Sequence, residues 1–107
     1  PRNNSFRKAY AIAYKMNPDV YAVQGYDAAQ ILNAGLAAAN GDLAKRDVIT
    51  TAMRKVVVDS PRGKFTISPA GNPVQDIYLR VVENKENKVI GVAAKALSDS
   101  GAGCKMG

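Results

Sequence analysis

The sequence has no His, no Trp and a single Cys, and those gaps exclude much chemistry before any motif is sought. Without imidazole or paired thiols it cannot assemble a zinc site, a Cys/His nucleophile pair or a Ser-His-Asp triad from its own residues. Bulky apolar residues are also scarce. Ile, Leu, Val and Phe make up 24 of 107 residues, while Ala alone accounts for 17 and adds little buried area per residue. A chain of 11.4 kDa hides only roughly 60–70% of its unfolded surface even when well packed, so a thin core and reliance on outside contacts are expected. No long hydrophobic run is present. The longest low-charge stretch, residues 20–41, holds no Lys or Arg but is broken by Gln24, Asp27, Gln30 and Asn33, which argues against a membrane span and for a soluble chain. The chain opens on Pro1 with neither Met nor a leader, as expected of a mature product or a piece of one.

What is present reads as helices first and strands later. Asn3, Asn4 and Ser5 are capping residues ahead of an apolar stripe of Phe6, Tyr10, Ala13 and Tyr14. Asn17-Pro18-Asp19 interrupts it, since the residue before proline avoids the helical region and Pro18 suits a new first turn. A second helix is predicted over 20–39, with Tyr21, Gly25, Ala28, Leu32, Gly35, Leu36 and Ala39 recurring every three to four residues and Asn40-Gly41 as a left-handed stop. Its small residues would let another backbone approach closely, so it is expected to be buried. A third helix begins near Asp42 or Asp47, with Val48, Ile49, Ala52, Met53 and Val56 on one side, and ends before Ser60-Pro61-Arg62-Gly63. Phe65 and Ile67 read as a short strand. Alternation over 74–83, the polar residues 84–88 and the apolar residues 89–97 read as a hairpin, and 98–107 as a loose or docked tail. Three helices followed by β-hairpins lack the strand-helix alternation of a self-sufficient parallel sheet.

The chemistry-bearing residues are few. The chain carries 15 Lys plus Arg against 9 Asp plus Glu, a formal charge of +6. The cations are dispersed and do not alternate with exposed aromatics, so a solvated surface is favoured over nucleic-acid binding. Gly101, Gly103 and Lys105 lack the following helix that a phosphate loop needs, and Asn3-Asn4-Ser5 is a short sequon with no secretory context. Cys104 reads as an inert thiol or half of a bridge to sequence not present. Among acids near apolar segments, Asp19 suits a helix cap and Asp27 a hydrogen-bonding role against a loop; with Asp76 they make no convincing acid–base pair, and no enzyme or cofactor is expected. Tyr21 and Gln24 are three apart near the start of the second helix, where a ring and an amide beside free N–H groups can meet a small organic ligand. The alternative is that Tyr21 packs under the preceding loop.

The run Asn17-Pro18-Asp19-Val20-Tyr21-Ala22-Val23-Gln24-Gly25-Tyr26-Asp27-Ala28-Ala29-Gln30-Ile31-Leu32, followed by Gly63-Lys64-Phe65-Thr66-Ile67-Ser68-Pro69-Ala70-Gly71-Asn72-Pro73 and Ile77-Tyr78-Leu79-Arg80-Val81-Val82, resembles the C-terminal part of periplasmic solute-binding proteins of the branched-chain amino acid type. The resemblance implies an α/β, partial type I periplasmic binding protein fold, cut from a parent with two Rossmann-like lobes. It implies that 1–76 belong to the first lobe, that 77–97 return to the second and that 98–107 form the tail. It also implies a periplasmic protein that captures a small-molecule solute between the lobes, with the remainder of the parent and the membrane permease of an ABC importer as partners and no nucleic acid. Tyr21 stands at a position that commonly lines the cleft, with Gln24 beside it. Tyr there, where branched-chain binders often have Phe or a smaller group, leans toward amino acids or aromatic acids. Two other readings stay open: a ligand-sensing regulatory domain of the same fold, and a free-standing basic interaction or nucleic-acid-binding module.

Overall fold

The computed structural model describes residues 1–105. The chain divides into two compact units, Pro1–Thr66 and Ile67–Gly107. The first holds three helices, α1 (Arg2–Tyr14), α2 (Val20–Ala38) and α3 (Arg46–Lys55). Strands β1 (Thr66–Ile67), β2 (Pro73–Glu83) and β3 (Glu86–Leu97) form a three-stranded sheet in the order β1-β2-β3.

Helix α1 starts earlier than its capping residues suggest. Pro1 occupies the cap position without a side-chain bond, and Asn3, Asn4 and Ser5 lie inside the first turns, where the Ser5 hydroxyl donates to the Pro1 carbonyl at 3.3 Å. The helix stops at Lys15, whose φ of 58° is left-handed and whose N–H reaches Ala11 O at 2.9 Å. Helix α2 obeys the expected signals. Asp19 caps it by accepting from Ala22 N at 2.8 Å, and Asn40 and Gly41, at φ 52° and 78°, close it through Asn40 N to Ala37 O and Gly41 N to Leu36 O. Helix α3 is capped by neither Asp42 nor Asp47. Asp42 accepts from Ala44 N in the preceding turn, Asp47 lies in the first helical turn, and Lys45 holds the cap position. An Asx-type turn two residues ahead outcompetes the cap for the same carboxylate.

Close helix packing occurs at one small residue. A Cβ on Gly35 would lie 2.8 Å from Met53 Cγ, 2.9 Å from Ile49 Cγ2 and 3.1 Å from Ile49 O, so α3 rests directly on the α2 backbone. Nothing comes within 4 Å of a Cβ placed on Gly25, and Ala28 and Ala29 are exposed. The expectation that the whole of α2 is buried therefore fails within this chain: of its residues only Asp27 and Gly35 are buried, and Leu32 is 50% exposed.

After α3 the chain turns through 59–62. Val58 and Phe65 pair across it by two backbone bonds of 2.9 and 3.2 Å, so the short strand expected at Phe65 and Ile67 is a bridge at Phe65 followed directly by β1. Strands β2 and β3 pair antiparallel through a two-residue turn, Asn84-Lys85, both at positive φ (51° and 63°), rather than through the polar run 84–88. That is the geometry of a type I′ turn, whose twist matches the strands. Each register irregularity leaves extra residues on β3: Leu79 faces Gly91 but Arg80 faces Val89, and Tyr78 faces Val92 but Ile77 faces Ala94. At the third, Asp76 accepts from Ala96 N at 2.8 Å, holding Ala96 at φ 45°. Because side chains alternate, each inserted residue swaps the face of the strand residues beyond it. The tail is docked: Asp99 accepts from Asn72 Nδ2 at 2.7 Å and from Gly101 N at 2.8 Å, although residues 106–107 of the expected tail lie outside the described residues.

The buried hydrophobic set is small, comprising Ala39, Val58 and Phe65 among the described residues. Ile77, Leu79, Val81, Val89 and Ile90 are exposed on the hairpin, and Val82 is 74% exposed.

Two substitutions probe this packing. Gly35→Ala forces a methyl against Ile49 and Met53 and is expected to destabilise the α2–α3 pair by about 1–3 kcal/mol in urea denaturation. Lys85→Gly relieves a left-handed residue in the hairpin turn and is expected to raise stability by about 1 kcal/mol in the same measurement; a loss of stability would show that the Lys85 side chain holds the turn.

Candidate functional site

Two faces of α2 have opposite characters. Tyr21 and Gln24 are roughly 60° apart around the helix axis, and Gly25 and Ala28 lie on the same side. All four are exposed, Tyr21 at 75%, and neither the Tyr21 nor the Gln24 side chain makes a hydrogen bond among the described residues. Tyr21 therefore does not pack under the preceding loop within this chain. The helix brings the ring and the amide to one side, just beyond the N-terminus capped by Asp19.

The other face is anchored. Asp27, 3% exposed, accepts from the Ser60 hydroxyl at 2.8 Å and from Arg62 Nη2 at 3.1 Å, both on the same carboxylate oxygen. Ser60 Oγ also accepts from Arg62 N at 3.1 Å, so hydroxyl, cation and carboxylate form one network. One turn further on, Gln30 Nε2 donates to Asp59 O at 3.1 Å. Arg2 of α1 donates from Nε to the same carbonyl at 3.3 Å and pairs with the Asp59 carboxylate at 3.3 Å. Asp27 thus takes the loop-facing role expected of it. Its partners were not foreseen; the signal was the hydroxyl and cation of Ser60-Pro61-Arg62 directly after an amphipathic helix.

A second feature of the same unit is an open aromatic groove of about 410 Å³ lined by Phe6, Tyr10, Tyr14 and Tyr26 with small residues between them. The ring centroids of Phe6 and Tyr26 are 5.0 Å apart and those of Tyr10 and Tyr14 are 4.6 Å apart. Arg2 lies 5.6 Å from the Tyr26 centroid and donates to its hydroxyl at 2.7 Å. Tyr21 and Gln24 do not line this groove. Among the described residues no group of three or more metal-ligating side chains occurs, no helix is long and apolar enough to cross a membrane, and Cys104 is an exposed free thiol.

Three helices followed by an antiparallel hairpin, with one helix presenting a capped, exposed N-terminal half, constitute part of a type I periplasmic binding protein fold. A sequence profile of the periplasmic binding protein family matches residues 1–87, and the chain belongs to that family. It is similar to a solute-binding protein of an ABC transporter from R. palustris, solved in complex with benzoate, at 47% identity and a TM-score of 0.92 over 98% of this chain and 29% of that one. An ABC transporter substrate-binding protein from Sphaerobacter thermophilus shares the fold at 22% identity and a TM-score of 0.79, covering 90% of this chain and 28% of that one. A leucine-binding protein from Thermotoga maritima does so at 22% identity and 0.71, covering 86% and 26%. The chain spans less than a third of the length of each of these structures. No curated protein matches it significantly.

The anchoring contacts differ in depth, and so should their worth. Arg62→Ala strands a buried carboxylate and is expected to cost about 3 kcal/mol in urea denaturation. Arg2→Ala removes an ion pair about half exposed on both sides and should cost no more than about 1 kcal/mol through that pair. Equal losses would mean that the Asp27 network is not the stronger anchor.

Proposed function

We propose that this chain is the C-terminal part of a periplasmic solute-binding protein that captures a small carboxylate, an amino acid or an aromatic acid, between two lobes and delivers it to the membrane permease of an ABC importer. Family membership supports the class, and the benzoate complex of the 47%-identical relative favours the aromatic acids. The observation that carries the reading is the exposure of Tyr21 and Gln24 on the free face of a helix whose opposite face is anchored. A ring and an amide held there are suited to stack on and hydrogen-bond a planar or amino-acid solute. Residues 1–76 belong to the first lobe and 77–97 return to the second. The rest of the parent covers the bare faces of α1, α2 and the hairpin.

Capture on this reading is closure of the two lobes. A solute that touches both faces at once binds the closed form more tightly than the open one and shifts the population accordingly. The permease then reads the closed form. A free-standing basic module is disfavoured, because such a module has to bury its own helix, and Leu32 and Tyr21 remain bare.

The test is calorimetric titration of the full-length polypeptide with benzoate and with amino acids. Tyr21→Ala is expected to weaken binding of the preferred solute by about tenfold or more, as the loss of a buried aromatic contact would. Wild-type affinity in that variant would remove Tyr21 from the site.

A further inference from the structure

Tyr21 and Gln24 can meet a solute in a defined pose only if α2 is held at one rotation about its axis. Close packing does this at Gly35, more than three turns away from Tyr21, but around Gly25 and Ala28 the helix has little side-chain relief to key it. The polar anchors lie between. Asp27 is about 120° round the helix from Tyr21 and about 60° from Gln24, and Gln30 about 180° and 120°, so the two anchors flank and back the free face. They grip a loop that is itself held firm: Val58 and Ser60 are fully buried, and Val58 and Phe65 exchange two backbone hydrogen bonds across the turn. A helix tied on one side to so braced a loop cannot roll without breaking charge-assisted bonds inside a buried site.

We propose that Asp27 is a positioning residue for solute capture, which rests on the reading of Tyr21 and Gln24 given above: the Asp27–Ser60–Arg62 clamp sets the rotation at which α2 presents that pair. The clamp touches no solute. It acts by keeping the free face aimed, so that its loss spreads Tyr21 and Gln24 over several orientations and lowers affinity without removing any contacting atom.

The test uses the full-length polypeptide, with benzoate as titrant and amide hydrogen exchange measured in its absence. Asp27→Asn is expected to speed exchange over residues 23–30 and to weaken benzoate binding by about tenfold. Gly35→Ala serves as the control for general destabilisation: it should speed exchange in the second half of α2 and in α3 while leaving the benzoate Kd within about twofold. Should Asp27→Asn not fold, Ser60→Ala, which removes one donor and leaves the Arg62 pair, is expected to show both effects in smaller measure. Unchanged exchange over 23–30 overturns the clamp, and so does an equal loss of affinity in Asp27→Asn and Gly35→Ala. Faster exchange over 23–30 together with wild-type benzoate affinity in Tyr21→Ala supports the clamp's hold on α2 and overturns the assignment of the free face.

Discussion

Everything in this structure is shaped by a shortage of buried apolar area. With Ala39, Val58 and Phe65 as its buried hydrophobic set, the chain leaves Leu32 on α2 and Val82 on β2 open to solvent. At about 25 cal/mol per Å², such faces represent several kcal/mol of burial that the chain does not realise by itself. A hairpin of this length, apolar on both sides, is only marginally stable without a layer against it. Helix α2 poses the same problem in another form, since its Ala and Gly positions are economical only where another backbone comes close, and of its two glycines Gly35 meets α3 while Gly25 has nothing within 4 Å.

Where hydrophobic contact is thin, polar contact carries local order. The loop at 59–62 is tied to α2 through Asp27 and Gln30 and to α1 through Arg2, and Arg2 also reaches the Tyr26 hydroxyl. Buried ion pairs add little net stability over apolar packing, but they impose a geometry, because a misaligned partner leaves a desolvated charge unmatched. Asp76 does comparable work in the hairpin by capturing Ala96 N at the irregular register, and Asp99 in the tail by holding Asn72. Each of these carboxylates bonds a segment where the backbone departs from regular structure.

Membership of the periplasmic binding protein family gives the bare faces a meaning, since related chains are more than three times as long. The proposed solute face and the anchored face lie on the same helix. On that proposal ligand contact and helix orientation are separable, the first resting on exposed side chains near the N-terminus and the second on a buried network one to two turns further along.

Much of the local structure was legible in the residue order, because it depends on neighbours in sequence: the Asn17-Pro18-Asp19 break, the Asp19 cap, the Asn40-Gly41 stop, the apolar side of α3 and the strand alternation from 74 onward. The thinness of the core was legible from composition. The start of α1 ahead of Asn3, Asn4 and Ser5, and the capping of α3 at Lys45 rather than at Asp42 or Asp47, have a common cause, for several polar side chains compete there for the same few N–H groups and tertiary placement chooses among them. The two-residue turn at Asn84-Lys85 and the irregular residues of β3 were hidden because register is a property of two strands together. The pairing of Asp27 with Ser60 and Arg62 spans more than thirty residues, and no local pattern encodes which loop a buried carboxylate will meet. Short-range dihedral and hydrogen-bond preferences thus determined the elements, whereas the orientation of α2, and with it the direction in which Tyr21 faces, was decided only when distant side chains came into contact.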